Sequence, residues 1–181
     1  HDQAIEVLEK LKKMSKNFVL LTNAPRPTII VTKQLKEMGM EKKLRDHVFT
    51  SGQAALYYLK KKYSESNFFH IGPPKDFDLF SDFKIYKTNK IEKGEYLLCT
   101  GLFEDFFDDL NYYKNLLENH VDKIMICTNP DLIVDKGDKR EMCAGSVAMV
   151  FEKIGGEVIY FGKPYPEVYN QSINNNNKKV L

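Results

Sequence analysis

An open α/β sheet is the fold class this sequence predicts, on three observations. Helix, buried strand, polar turn and helix follow one another within the first forty residues. Short continuous apolar runs, the pattern of strands covered on both faces, recur at 18–21, 123–127 and 158–161. Each of these runs opens into a polar turn rather than a hairpin, the order from which parallel sheets are wound.

The first element is an amphipathic helix, because Ala4, Val7, Leu8, Leu11 and Met14 recur at helical spacing with Glu9, Lys12 and Lys13 between them. Phe18-Val19-Leu20-Leu21 is the first buried strand, ended by the turn Thr22-Asn23-Ala24-Pro25-Arg26-Pro27. Ile30, Val31, Gln34, Leu35 and Met38 define a second helix, stopped at Gly39. Val48-Phe49-Thr50 is a short strand, and Ser51 caps a helix through Ala54, Ala55, Tyr58 and Leu59.

From Asn67 the texture changes, with strands at 68–71, 83–86 and 96–100 set between the turns Gly72-Pro73-Pro74 and Glu92-Lys93-Gly94. A helix carrying Phe106, Phe107, Leu110 and Leu117 on one face comes next, then a buried strand at 123–127. A small-residue helix at 144–154 stops at Gly155-Gly156, and a strand at 158–161 delivers Gly162-Lys163-Pro164. The change of texture divides the chain into part of a core sheet at 1–53, an inserted α/β unit at 54–157 and a return to the core at 158–181. The chain opens on His1 and closes on an apolar rise at 178–181 after the Asn run 174–177, and it reads as a segment cut at both ends.

Composition narrows the functional classes. Lys and Arg total 27 against 25 Asp and Glu, and a net charge of +2 provides no field for nucleic acid. No apolar run approaches the ~20 residues of a membrane span, and the N-terminal residues are charged rather than signal-like, so a cytoplasmic protein without a membrane partner is expected. Cys99, Cys127 and Cys143 form no CxxC and read as buried packing thiols. His1, His47, His70 and His120 lack metal-ligand spacing, so no metal site and no histidine triad is expected within the chain.

Four places carry polar groups at strand ends, where ligands bind in open α/β sheets. Thr22 and Asn23 present a hydroxyl and backbone N–H groups that suit a phosphate oxygen, or else cap the following helix. Lys163, held between Gly162 and Pro164, can neutralise a phosphoryl group or a carboxylate, or stand solvated at the surface. Asn129 and Asp131 can bond a ligand or make an ordinary turn. Arg26 can clamp an anion or pair with a neighbouring acid. The acidic pairs Glu104-Asp105 and Asp108-Asp109 suit a helix start, and Phe103, Phe106 and Phe107 read as core.

Taken in order, Leu20-Leu21-Thr22-Asn23-Ala24-Pro25-Arg26-Pro27, Thr50-Ser51-Gly52, Cys127-Thr128-Asn129-Pro130-Asp131, Ala144-Gly145-Ser146 and Gly162-Lys163-Pro164-Tyr165-Pro166 resemble the haloacid dehalogenase superfamily, and within it class IIA, the sugar-phosphate and nucleotide phosphatases with a large α/β cap. The resemblance implies a partial Rossmann-like core with an inserted α/β cap. It implies that Thr22 binds the transferring phosphoryl group beside the N–H groups of Asn23 and Ala24, and that Lys163 stabilises the nucleophilic aspartate and the phosphoryl charge. Arg26 matches a basic position, and Asn129 and Asp131 match a cap segment facing the active site.

Where the family has Thr-Asn-Asn this chain has Thr22-Asn23-Ala24, which removes one side-chain contact. The family's first segment, an Asp-x-Asp, would precede His1, and its fourth, an acidic pair holding magnesium, would follow Leu181. The resemblance therefore implies that the complete protein is a magnesium-dependent phosphomonoester hydrolase acting through an aspartyl-phosphate. Its substrate would be a small phosphorylated metabolite, a sugar phosphate or nucleotide monophosphate, and the segment alone would be inactive. Tyr57, Tyr58, Phe69 and the Gly72-Pro73-Pro74 turn are candidates for the leaving-group space, and cap contacts of this class imply a homodimer. The alternative is a non-catalytic ligand-binding or interaction module derived from such a phosphatase.

Overall fold

Two parallel sheets and one antiparallel hairpin organise residues 2–173, those that the computed structural model describes. The Asn run 174–177 and the apolar rise 178–181 lie outside the described residues. Helix α1 (Asp2–Lys13) leads to β1 (Leu20–Thr22), which pairs in parallel with β2 (Val48–Thr50), Thr22 opposite Thr50. Between them run α2 (Thr28–Glu37) and α3 (Lys42–Arg45). Helix α4 (Ser51–Lys62) follows β2 directly. Its cap is Thr50 rather than Ser51: the Thr50 hydroxyl accepts the Gln53 N–H at 3.0 Å, while Ser51 Oγ donates to the Ala24 carbonyl at 2.9 Å.

The larger sheet has strand order β4-β3-β5-β6-β9, all parallel. Its members are β3 (Phe68–Ile71), β4 (Lys87–Thr88), β5 (Tyr96–Cys99), β6 (Ile124–Cys127) and β9 (Glu157–Tyr160). Alternate residues face opposite sides. Phe68, Tyr96, Leu98 and Ile126 pack with Ala55 and Leu59 of α4. Leu97, Cys99, Met125 and Cys127 pack with Tyr113 and Leu117 of α5 (Leu110–Leu117) and with Val147 and Phe151 of α6 (Ala144–Lys153). Cover on both faces is why these strands read as unbroken apolar runs. The strand expected at 158–161 as the return to the core bonds in register to β6, Tyr160 opposite Cys127, so by pairing it belongs to the five-stranded sheet. It leads into α7 (Pro166–Ser172).

Three local expectations differ from the structure. Residues 83–86 are not a strand but the end of a 3-10 stretch, Pro74–Tyr86, and only Lys87–Thr88 pairs with β3. The reason is the aromatic spacing: Phe77, Phe80, Phe83 and Tyr86 fall every third residue, the period of a 3-10 turn, and all four enter the core beside α4. Phe106 and Phe107 lie outside α5, which Asp109 caps by accepting the Tyr112 N–H at 3.1 Å, and Phe107 is 62% exposed. Finally, β7 (Ile133–Lys136) and β8 (Lys139–Met142) form a hairpin where sequence reading sees only a turn. Its two-residue turn places Gly137 at φ +59°, the left-handed value such turns need.

Val7 on α1 and Ile29 on α2, with Met14 and Met38 just past the ends of these helices, are more than half exposed, and α2 has no buried residue. The three cysteines are buried, as expected. Among the described residues no helix is long and apolar enough to cross a membrane.

Candidate active site

The carboxyl ends of β1, β3, β5 and β6 open onto one cleft of about 970 Å³. The last residue of β1 and the turn after it contribute Thr22, Asn23, Ala24 and Arg26; the turn after β3, Pro73 and Asp76; the turn after β5, Thr100, Phe103 and Phe107; the turn after β6, Asn129 and Asp131. The β7–β8 hairpin closes one side with Arg140 and Met142. Convergence of strand ends is what a parallel sheet provides for a ligand.

Asn23 is the centre of the polar network. Its Nδ2 donates to Asp131 Oδ1 at 2.8 Å and to the Lys163 carbonyl at 3.0 Å, while its Oδ1 accepts the Lys163 N–H at 2.7 Å. Asn129, 8% exposed, accepts the Asp131 backbone N–H on Oδ1 at 3.0 Å and so fixes the turn backbone from which that carboxylate extends. Thr22 Oγ1 accepts the Ala24 N–H at 3.3 Å, which leaves the hydroxyl proton for a ligand oxygen. The turn is pinned from beneath, since the Thr50 hydroxyl donates to the Arg26 carbonyl at 2.7 Å. Arg26 reaches across to Asp76, Nε to Oδ1 at 3.5 Å.

Six of the seven residues singled out from sequence therefore line the cleft. Lys163 does not: its side chain is exposed and it joins the group through its backbone bonds to Asn23. Arg26 takes the acid-pairing arrangement with Asp76. Of the leaving-group candidates, Pro73 lines the cleft, Phe69 packs in the core, and Tyr57 and Tyr58 line a separate groove of about 690 Å³ between α4 and α7.

Sequence reading missed Asp76, Thr100 and Arg140, and placed Phe103 and Phe107 only in the core. Thr100 stands at the carboxyl end of a parallel strand as Thr22 does, and the strand-end rule applied evenly would have found it. Its hydroxyl lies 2.8 Å from His70 Nε2. Burial first, then Lys87, lowers the His70 pKa to about 3, so the imidazole is neutral. Burial also pushes the Cys127 thiol up to about 12 and the Cys99 thiol well above its ordinary value, which makes both poor nucleophiles.

Magnesium binds through hard oxygen ligands, usually carboxylates and waters. Among the described residues no group of three or more His, Cys, Asp or Glu side chains could hold a metal ion. In the cleft Asp131 is engaged by Asn23 and Asp76 faces Arg26. The residues present do not fit that ion.

Residues 1–85 match the family model described as haloacid dehalogenase-like hydrolase. Among solved structures, a hydrolase of the haloacid dehalogenase-like family from Brucella suis is similar at 26% identity and a TM-score of 0.83, over 96% of this chain and 64% of that one. The p-nitrophenyl phosphatase from Archaeoglobus fulgidus matches at 20% identity and a TM-score of 0.68, over 96% of this chain and 66% of that one. A 4-nitrophenylphosphatase from Thermotoga maritima matches at 24% identity and a TM-score of 0.65, over 95% and 66%. The last two likenesses show the fold alone. The chain thus spans about two thirds of the length of these solved relatives. No curated protein matches it.

Proposed function

We propose that the chain belongs to the haloacid dehalogenase-like hydrolases, of the class IIA type, as the family match over residues 1–85 and the likeness to the Brucella suis hydrolase support, that the complete protein hydrolyses a small phosphomonoester, a sugar phosphate or nucleotide monophosphate, and that this chain supplies its phosphoryl-binding turn, its lysine and its cap. One observation carries the reading: Asn23 bonds Asp131 and Lys163 at once, which draws three separate turns together beside Thr22. The p-nitrophenyl phosphatases among the similar folds support phosphomonoester hydrolysis in general, and the sugar-phosphate or nucleotide class comes from the motif resemblance.

Phosphoryl transfer is catalysed mainly by positioning and by neutralising charge on the equatorial oxygens. Thr22 would donate its hydroxyl proton to one such oxygen, Ala24 having already supplied an N–H to the lone pair. Lys163 would bring its ammonium inward to the transferring group, and Arg26 would hold the wall of the cleft through Asp76. Phe103, Phe107 and Met142 offer apolar surface for the leaving group. The attacking carboxylate, the acid for the leaving group and the magnesium ligands would come from other segments of the complete protein. A division into a core and an inserted cap, with β9 on the five-stranded sheet beside β6 rather than in a core returning at 158, and a homodimer through the cap are part of the same proposal.

Replacement of Lys163 by Ala in the complete protein tests the assignment. Loss of one preorganised charge at the transferring group should lower kcat about 10²–10³-fold. Turnover of p-nitrophenyl phosphate within threefold of wild type would remove Lys163 from the mechanism.

A further inference from the structure

We infer that the Asn23 side chain is a positioning strut that holds the Lys163 turn against Asp131, rather than a ligand of the phosphate; this rests on the phosphatase reading for its catalytic consequence but not for its geometry. Both ends of the amide are already committed. Nδ2 serves Asp131 Oδ1 and the Lys163 carbonyl, and Oδ1 takes the Lys163 N–H. A primary amide has two N–H donors and one carbonyl oxygen, so no donor remains for a phosphoryl group.

The pairing with Lys163 is cyclic, one bond in each direction to the same residue, as between neighbouring strands. Such a two-point contact fixes orientation as well as distance. The packing around it leaves little freedom: Gly162 lies at φ +132°, and a Cβ there would sit 2.8 Å from Asn23 Oδ1 and 2.5 Å from Pro130 Cδ. Asp131 is held from its other side by Asn129. The turn after β1, the turn after β6 and the turn after β9 are therefore one unit through a single side chain, and the Lys163 ammonium starts from a backbone whose place Asn23 sets.

The test exchanges donor and acceptor. Asn23→Asp keeps an acceptor for the Lys163 N–H but loses both donated bonds and sets a carboxylate against Asp131. Asp131→Asn alone keeps an oxygen for Asn23. The double variant Asn23→Asp/Asp131→Asn restores the bond with its direction reversed. With magnesium and p-nitrophenyl phosphate, Asn23→Asp should lower kcat of the complete protein by about 30-fold or more, Asp131→Asn by about threefold or less, and the double variant should recover to within about tenfold, with KM little moved throughout, coupling of the size contacting pairs show. A double variant no better than Asn23→Asp, or an Asp131→Asn variant that loses as much and raises KM, overturns the strut.

Amide hydrogen exchange separates this from the phosphatase reading. In the ¹⁵N-labelled complete protein the Lys163 amide should be protected in wild type and in Asn23→Asp, and should exchange at least tenfold faster in Asn23→Ala. If wild type releases no phosphate but this protection holds, the phosphatase reading fails and the strut stands. If the Lys163 amide exchanges equally fast in wild type and in Asn23→Ala, the strut falls whatever the activity.

Discussion

Replacing Gly162 by Ala probes the junction between the return turn and the rest of the cleft. Gly162 adopts φ +132°, a value that residues with a Cβ rarely reach. Forcing a side chain into such backbone costs about 1–3 kcal/mol. The new Cβ would also lie 2.5 Å from Pro130 Cδ and 2.8 Å from Asn23 Oδ1, well inside van der Waals contact. Overpacking of this kind adds about 1–3 kcal/mol, and the proline ring has few ways to yield. Taking the middle of both ranges less some relaxation, Gly162→Ala should destabilise the protein by about 3 kcal/mol. With a urea slope of about 2 kcal/mol/M, the midpoint should fall by about 1.5 M without a change of slope. Far-UV circular dichroism reads the transition. A shift below about 0.3 M would show that the backbone re-routes freely and that the tight packing of Gly162 on Pro130 and Asn23 is unimportant.

Three further outcomes follow from the buried interior. His70 is neutral in the folded protein, with a pKa lowered to about 3, whereas an unfolded chain takes up the proton near 6.5. The unfolded state thus binds more protons between those values, so stability is constant above pH 6.5 and falls as the pH drops below it. At pH 5 the loss from this group is about 2 kcal/mol, and urea midpoints at pH 7 and 5 should differ in wild type but much less in His70→Gln; equal slopes in both proteins would contradict it. Phe80→Ala removes a fully buried ring of the 3-10 stretch and should cost about 3–5 kcal/mol; a urea-derived loss under 1 kcal/mol would mean that stretch is not part of the core. Cys99 and Cys127, buried and with thiols pushed up, should resist an aromatic disulfide reagent in the native protein and react in urea; fast native labelling of either would contradict their burial.

How far the sequence disclosed this arrangement depended on the kind of physics behind each part. Strands β3, β5, β6 and β9 were visible because cover on both faces demands consecutive apolar residues, and the polar turns after them stood out by contrast. Thr22, Asn23, Asn129 and Asp131 were found that way, as strand-end groups. The 3-10 stretch was hidden because an aromatic at every third position fits neither the helical nor the strand period. The β7–β8 hairpin was hidden by its charges, for Lys139, Arg140 and Glu141 stand on an exposed strand that buries little. Asp76 reaches the cleft only through strand order, which sets β3 beside β5, and no local pattern marks it, whereas Thr100 carries the same strand-end signal as Thr22. Lys163 was noticed for its turn, yet its tie to the cleft runs through backbone atoms that every residue carries.

Magnesium-dependent release of phosphate tests the central claim most directly. The complete protein and the 181-residue chain would be assayed side by side with p-nitrophenyl phosphate and a panel of sugar and nucleotide monophosphates. Turnover by the complete protein with magnesium, none without it, and none by the chain alone is the result the account predicts. A complete protein that folds, binds the same esters and releases no phosphate with any of them would contradict it.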